Sequence, residues 1–156
     1  MFLPSDGLVA DIVPTLDTGG YSTGDLLFAA NQIDKATLNT KGLSYLRSLL
    51  VIDTANQKSA LDLLIFDRDP GSLGTLNNAI DISTAQLGYL VAKIGVAAAD
   101  YVTLKASTNA VAQYTPNILL PAKVQARDFW VAGISRGSPT YAASSLTFRM
   151  VLERQP

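Results

Sequence analysis

Ser145-Leu146-Thr147-Phe148-Arg149-Met150-Val151-Leu152-Glu153 puts Leu146, Phe148, Met150 and Leu152 on one side of an extended chain. Ser145, Thr147, Arg149 and Val151 fall on the other. That period of two marks a strand with one wet face. Just upstream, from Arg127 to Arg136, the pattern changes. Phe129, Val131 and Gly133 interleave with Trp130, Ala132 and Ile134, so both faces are apolar. Such a strand is expected inside a sheet or under a neighbouring subunit. Gly137-Ser138-Pro139-Thr140 reads as a turn, and the two segments are expected to pair as a long C-terminal hairpin.

The same reading carried toward the N-terminus predicts strands at 7–13, 25–33, 44–53, 60–67, 89–97, 100–105 and 110–120. Thr54-Ala55-Asn56-Gln57-Lys58-Ser59 is expected to join two of them as a hairpin loop, and Asp69-Pro70-Gly71-Ser72 is a turn. Ser83 and Gln86 have capping-box spacing, with Gly88 placed to end a short helix. A single glutamate (Glu153) against many threonines, valines and isoleucines disfavours helix and favours pleated, half-buried surfaces. The expectation is all-β: a β-sandwich of jelly-roll type with about nine strands and one short helix. One domain spans 1–156, with 1–6 as an apolar N-terminal arm.

Composition narrows the function. The 156 residues contain no histidine and no cysteine. Histidine is the side chain that titrates near neutrality, and cysteine is the readiest nucleophile and soft metal ligand. Serine and cysteine triads and ordinary zinc or copper sites are therefore excluded, and no cofactor is implied. Charged residues make up only 16%, and the net charge is −1. That offers no field for a phosphate backbone, so nucleic-acid binding is not expected. The most apolar stretch, Tyr89 to Ala99, is interrupted by Lys93 and is too short to span a bilayer. The start of the chain lacks a basic signal-peptide region, which predicts a soluble protein made without export.

Three motifs have both a chemical and a bland reading. Gly133-Ile134-Ser135-Arg136-Gly137 matches the nucleophile elbow G-x-S-x-G, but there is no histidine to take the serine proton. Nor does any lysine have serine or threonine three residues before it, so a serine–lysine pair is excluded; the stretch reads as a glycine-punctuated strand. Leu16-Asp17-Thr18-Gly19 resembles the catalytic triplet of retroviral-type aspartic proteases, where paired aspartates share a proton. The later apolar-Gly-Arg signature is missing, and a turn is the competing reading. Asp67-Arg68-Asp69 offers clustered carboxylates to a hard cation, or a solvated turn. The aromatic residues could form a sugar-stacking platform or pack a core. Phe2, Leu3 and Trp130 are the candidate contacts with a partner.

Two segments carry a resemblance. One runs Ile12-Val13-Pro14-Thr15-Leu16-Asp17-Thr18-Gly19-Gly20-Tyr21-Ser22-Thr23-Gly24-Asp25-Leu26-Leu27-Phe28. The other runs Phe129-Trp130-Val131-Ala132-Gly133-Ile134-Ser135-Arg136-Gly137-Ser138-Pro139-Thr140-Tyr141. The chain resembles small β-rich proteins of tailed bacteriophages and prophages, in the group of head decoration or cement proteins. The resemblance implies a virion component on the capsid surface, made in the host cytoplasm and commonly a homotrimer. Its partner would be the major capsid protein at capsomer junctions, with no membrane involved. It brings no catalytic residues. A tail- or fibre-associated glycan- or receptor-binding module is the alternative, and a dimeric aspartic protease using Asp17 the remote one.

Overall fold

A computed structural model describes residues 6–124 and 126–156. It contains ten strands: β1 Asp6–Ile12, β2 Leu26–Ile33, β3 Leu43–Asp53, β4 Leu61–Phe66, β5 Leu90–Val96, β6 Val102–Lys105, β7 Asn109–Tyr114, β8 Ile118–Pro121, β9 Phe129–Ser135 and β10 Leu146–Arg154. The helix α1 spans Thr84–Leu87. Each expected strand is present within a few residues of its predicted ends. The stretch expected as one strand over 110–120 is broken into β7 and β8 by Thr115-Pro116-Asn117, where Asn117 adopts a positive φ of 50°. Asp6, placed by the sequence in an N-terminal arm, already belongs to β1.

The strands form two antiparallel sheets. One has the order β1-β10-β3-β7-β6, with β8 also paired to β3; the other is β2-β9-β4-β5. Successive strands alternate between the sheets at β1/β2, β3/β4 and β9/β10, which is the jelly-roll arrangement of two interleaved Greek keys. The two expected hairpins therefore do not form. β9 pairs with β2 and β4, whereas β10 pairs with β1 and β3. Likewise β3 and β4 lie in different sheets. The turn residues are as expected, but each turn carries the chain across the sandwich instead of back along its neighbour. β10 and β3 find better partners because their apolar faces must meet those of β9 and β4 across the core.

That core is built from the inward faces. Leu49, Val51, Phe148 and Met150 of one sheet oppose Phe28, Leu63, Ile65 and Val131 of the other, all fully buried. Phe28 and Phe148 touch with ring centroids 5.2 Å apart. Register in β3 shifts opposite Val151/Leu152, leaving Arg47 as an extra residue. The bulge turns Arg47 outward, where its Nε donates to Glu153 at 2.5 Å and its guanidinium lies 4.5 Å from the Tyr45 ring.

Helix α1 has the expected cap. Gln86 N donates to Ser83 Oγ, and Ser83 N donates to Gln86 Oε1. Gln86 Nε2 also donates to Pro70 O and Ser72 O, tying the helix to the preceding turn. Gly88 follows the helix in right-handed conformation, so its conformational freedom is not what stops it.

Candidate interaction surfaces

The two outer faces of the sandwich are treated differently by the chain itself. β9 is apolar on both sides because residues 67–89 fold over the outer face of its sheet. Leu73, Leu76, Ile80, Ile82 and Tyr89 pack there on Leu26, Leu64, Phe66, Ala132 and Ile134. Backbone hydrogen bonds fix this flap to the start of β2: Leu26 N to Asn78 O at 2.8 Å, Asn77 N to Leu26 O at 3.0 Å and Ile80 N to Gly24 O at 3.1 Å. Trp130 lies on this outer face, half-buried at the same cluster and paired in register with Gln32 and Phe66. The double-sided apolar pattern of β9 is thus met largely by the protein's own flap. Phe2 and Leu3 lie outside the described residues.

The outer face of the other sheet has no such cover among the described residues. Its side chains align in cross-strand rows. In one, Thr147 lies beside Ile52, Ile52 beside Val111 and Val111 beside Val102. In the next, Asp11 lies beside Arg149, Arg149 beside Leu50 and Leu50 beside Gln113. In a third, Val9 lies beside Val151. Val9 is 62% exposed, Val102 61% and Leu104 67%. The charges between them are paired: Arg149 Nε and Nη2 each meet Asp11 at 2.8 Å. That hydrogen bonding holds the Asp11 carboxyl below its ordinary value. The face pairs its Asp11 and Arg149 charges with each other and is striped with aliphatic side chains. β6 borders it as an edge strand, and natural proteins rarely leave such edges apolar without a use.

The motifs that suggested chemistry take structural roles. Asp17 Oδ1 accepts from Gly19 N at 2.7 Å and Asn77 Nδ2 at 3.0 Å, pinning the β1–β2 loop to the flap. Ser135 is buried, and its hydroxyl donates to Gly137 O. Gly133 is a close-packing glycine: a Cβ there would stand 2.3 Å from a ring carbon of Phe28. Asp67 is fully buried, accepting from Arg68 Nε and Lys123 N, while Asp69 caps the turn at Gly71 N. Among the described residues, no cluster of three or more acidic, histidine or cysteine side chains stands ready for a metal.

No family model matches the chain. No curated protein matches it either. Among solved structures it is similar to the VP2 subviral particle of infectious bursal disease virus, at 13% identity and a TM-score of 0.46 over 97% of this chain. It spans about a third (33%) of that VP2 chain. It is also similar to tomato aspermy virus, at 10% identity and TM-score 0.42, over 97% of this chain and 78% of that one. Desmodium yellow mottle tymovirus matches at 14% identity and TM-score 0.30, over 99% and 84%. All three are viral capsid structures.

A further feature was not visible in the sequence. At the end of the sandwich where β1–β2, β3–β4 and β9–β10 are joined, the loops bond to one another. Leu16 N donates to Ala143 O, Tyr21 N to Pro139 O, Thr54 N to Ser145 O and Thr140 N to Gln57 Oε1. Between the β3–β4 and β9–β10 loops lies a cleft of about 300 Å³, lined by Gln57, Lys58, Ser59, Arg136, Ser138 and Pro139 among others.

Proposed function

We propose that this chain is a virion structural protein that binds the outside of a bacteriophage head as a decoration protein, cementing capsomer junctions. The observation that carries the reading is the uncovered outer face of the β1-β10-β3-β7-β6 sheet, with its exposed Val9, Val102 and Leu104 and its internally paired charges. Such a face gains adhesion from burial alone, at about 25 cal/mol per Å² of apolar surface removed from water. It needs no reactive group, and the chain's composition supplies neither histidine nor cysteine. The sequence resemblance to head decoration proteins supports the same assignment.

In this reading the partner is the major capsid protein. The site of action is the capsid surface, and a homotrimer multiplies modest contacts by avidity. Phe2 and Leu3 precede β1, one edge strand of the binding sheet, and add to the contact; Trp130, on the outer face of the opposite sheet, is left to meet a different neighbouring subunit. Purified protein is expected to bind undecorated capsids at micromolar concentration. Val102→Asp and Leu104→Asp are expected to weaken binding more than tenfold without changing the unfolding midpoint, since both residues are exposed. Failure of the wild type to bind, or full binding by both variants, would overturn the proposal. Light scattering in solution is expected to give about three times the chain mass of 16.6 kDa.

A further inference from the structure

We propose that the cleft between the β3–β4 and β9–β10 loops binds an acidic sugar residue, with its carboxylate taken by Lys58 and Arg136. The cleft is assembled by the fold and does not depend on side-chain chance. Asp53, fully buried at the end of β3, accepts from Ala55 N at 2.9 Å and Lys58 N at 2.8 Å. This bends the loop so that Lys58 sits at a positive φ of 50° on the cleft wall. On the opposite wall Arg136 N donates to Ala60 O, which holds the start of the β9–β10 loop against β4. Gly137 lies so close to Ser59 that a Cβ would stand 2.4 Å from its Oγ, so the two loops meet there without a gap.

The electrostatics favour an anion. No acidic side chain lines the cleft. Asp62 beside it is satisfied twice, by Arg136 Nε at 2.7 Å and Lys93 Nζ at 3.3 Å. Both oxygens of Asp53 are engaged by backbone amides. Arg136 thus uses its Nε on Asp62 and keeps its terminal nitrogens for a carboxylate, which a guanidinium grips by two parallel bonds. The Lys58 ammonium donates to Thr103 Oγ1 at 3.4 Å, a long and solvent-exposed contact that it exchanges for the stronger, charge-assisted bond to the ligand.

The rest of the lining suits hydroxyls. The Ser59 side chain is buried, yet its hydroxyl meets only the neighbouring carbonyl of Ala60, at 3.4 Å. Gln57 and Ser138 add polar groups, while Pro139 and Ala98 supply an apolar wall for a sugar's C–H face. At about 300 Å³ the cleft falls at the small end of ligand pockets, which run to ~1,000 Å³, so it suits one sugar unit. The cleft adjoins β6, the edge of the capsid-binding sheet, through the contact of Lys58 with Thr103, but Val9, Val102 and Leu104 are not among its lining residues.

The test is an amide-resolved NMR titration of the full chain with sodium glucuronate, glucose and sodium sulfate. Glucuronate is expected to shift the amides of Ser59, Gly137 and Ser138 with millimolar saturation, at least tenfold more tightly than glucose or sulfate. Lys58→Gln leaves the Arg136–Asp62 pair intact and is expected to weaken glucuronate about tenfold, as is Arg136→Gln. Sulfate binding as tightly as glucuronate would reduce the cleft to a plain anion site and overturn the proposal. Equal binding of glucose, no shifts at these amides, or undiminished affinity in Lys58→Gln would overturn it too.

Discussion

Gly133→Ala probes the packing that replaces the apparent nucleophile elbow. An added Cβ would stand 2.3, 2.7 and 2.8 Å from three carbons of the Phe28 ring. Carbon atoms pack comfortably at about 3.5–4.0 Å, so the ring or the strand must move by roughly 1 Å. Phe28 has nowhere to go: it is fully buried and wedged against Phe148. β9 is hydrogen-bonded on both sides, to β2 and β4, so the backbone resists as well. The expected cost is ~3 kcal/mol, the upper end of the overpacking range. For a domain of this size it lowers Tm by about 6–12 °C. Urea unfolding followed by Trp130 fluorescence should show a lower midpoint at unchanged slope. Phe28→Leu makes space for the new methyl, so the double variant is expected to be no less stable than Phe28→Leu alone. The coupling should be about 2 kcal/mol or more. Gly7→Ala is the control, because nothing lies within 4 Å of a Cβ there, and it should change stability by less than ~0.5 kcal/mol. A Gly133→Ala cost below ~1 kcal/mol, or simple additivity with Phe28→Leu, would refute the packing argument.

Other consequences can be measured on the same material. The Tyr21 hydroxyl accepts from Asp17 N and donates to Leu27 O, so Tyr21→Phe should cost about 1–2 kcal/mol. The buried Tyr141 hydroxyl has no protein partner among the described residues, so Tyr141→Phe should be neutral or stabilising by up to ~1 kcal/mol in the same denaturation assay. Burial raises Tyr21, Tyr101 and Tyr141 above the ordinary tyrosine value, with Asp53 adding to the effect at the last two. Tyr114, also raised by burial and by its hydrogen bond to Asp100, is pushed up to about 12. Because the folded state holds these protons more tightly, stability is complete below about pH 10 and declines as pH rises further. Denaturation midpoints measured from pH 8 to 12 should therefore fall only above pH 10, and a midpoint that rises there would contradict the burial of these rings. Asp17→Asn keeps an oxygen to accept from Gly19 N and Asn77, so it should shift stability by less than ~0.5 kcal/mol. Acid-optimum proteolysis present in the wild type and absent in Asp17→Asn would reverse the structural assignment of that residue.

The uncovered sheet face was only half legible in the sequence. Alternation marked β10 as having a wet side, and Thr147, Arg149 and Val151 do point outward. That this side joins Ile52, Val111 and Val102 into an aliphatic surface depends on register among β10, β3, β7 and β6, strands far apart in the chain. Trp130 stood out for lying on a strand with two apolar faces, yet much of what covers that second face comes from residues 67–89. The loop cleft had no sequence signal, since Lys58 and Arg136 are 78 positions apart and isolated cations are ordinary surface residues.

By itself the sequence determined what each short segment does: where strands run, which side of β10 faces apolar neighbours, how α1 is capped, and that no histidine or cysteine chemistry is available. These are local matters, governed by side-chain period, cap and turn residues within a few positions. Tertiary structure alone decided which strands pair. A turn such as 137–140 fits a hairpin or a crossing between sheets equally well, and the choice falls to long-range burial. Pairing β10 with β1 and β3 lets Phe148 and Met150 close the core over Phe28 and Val131, burial that a β9–β10 hairpin in one sheet would forgo.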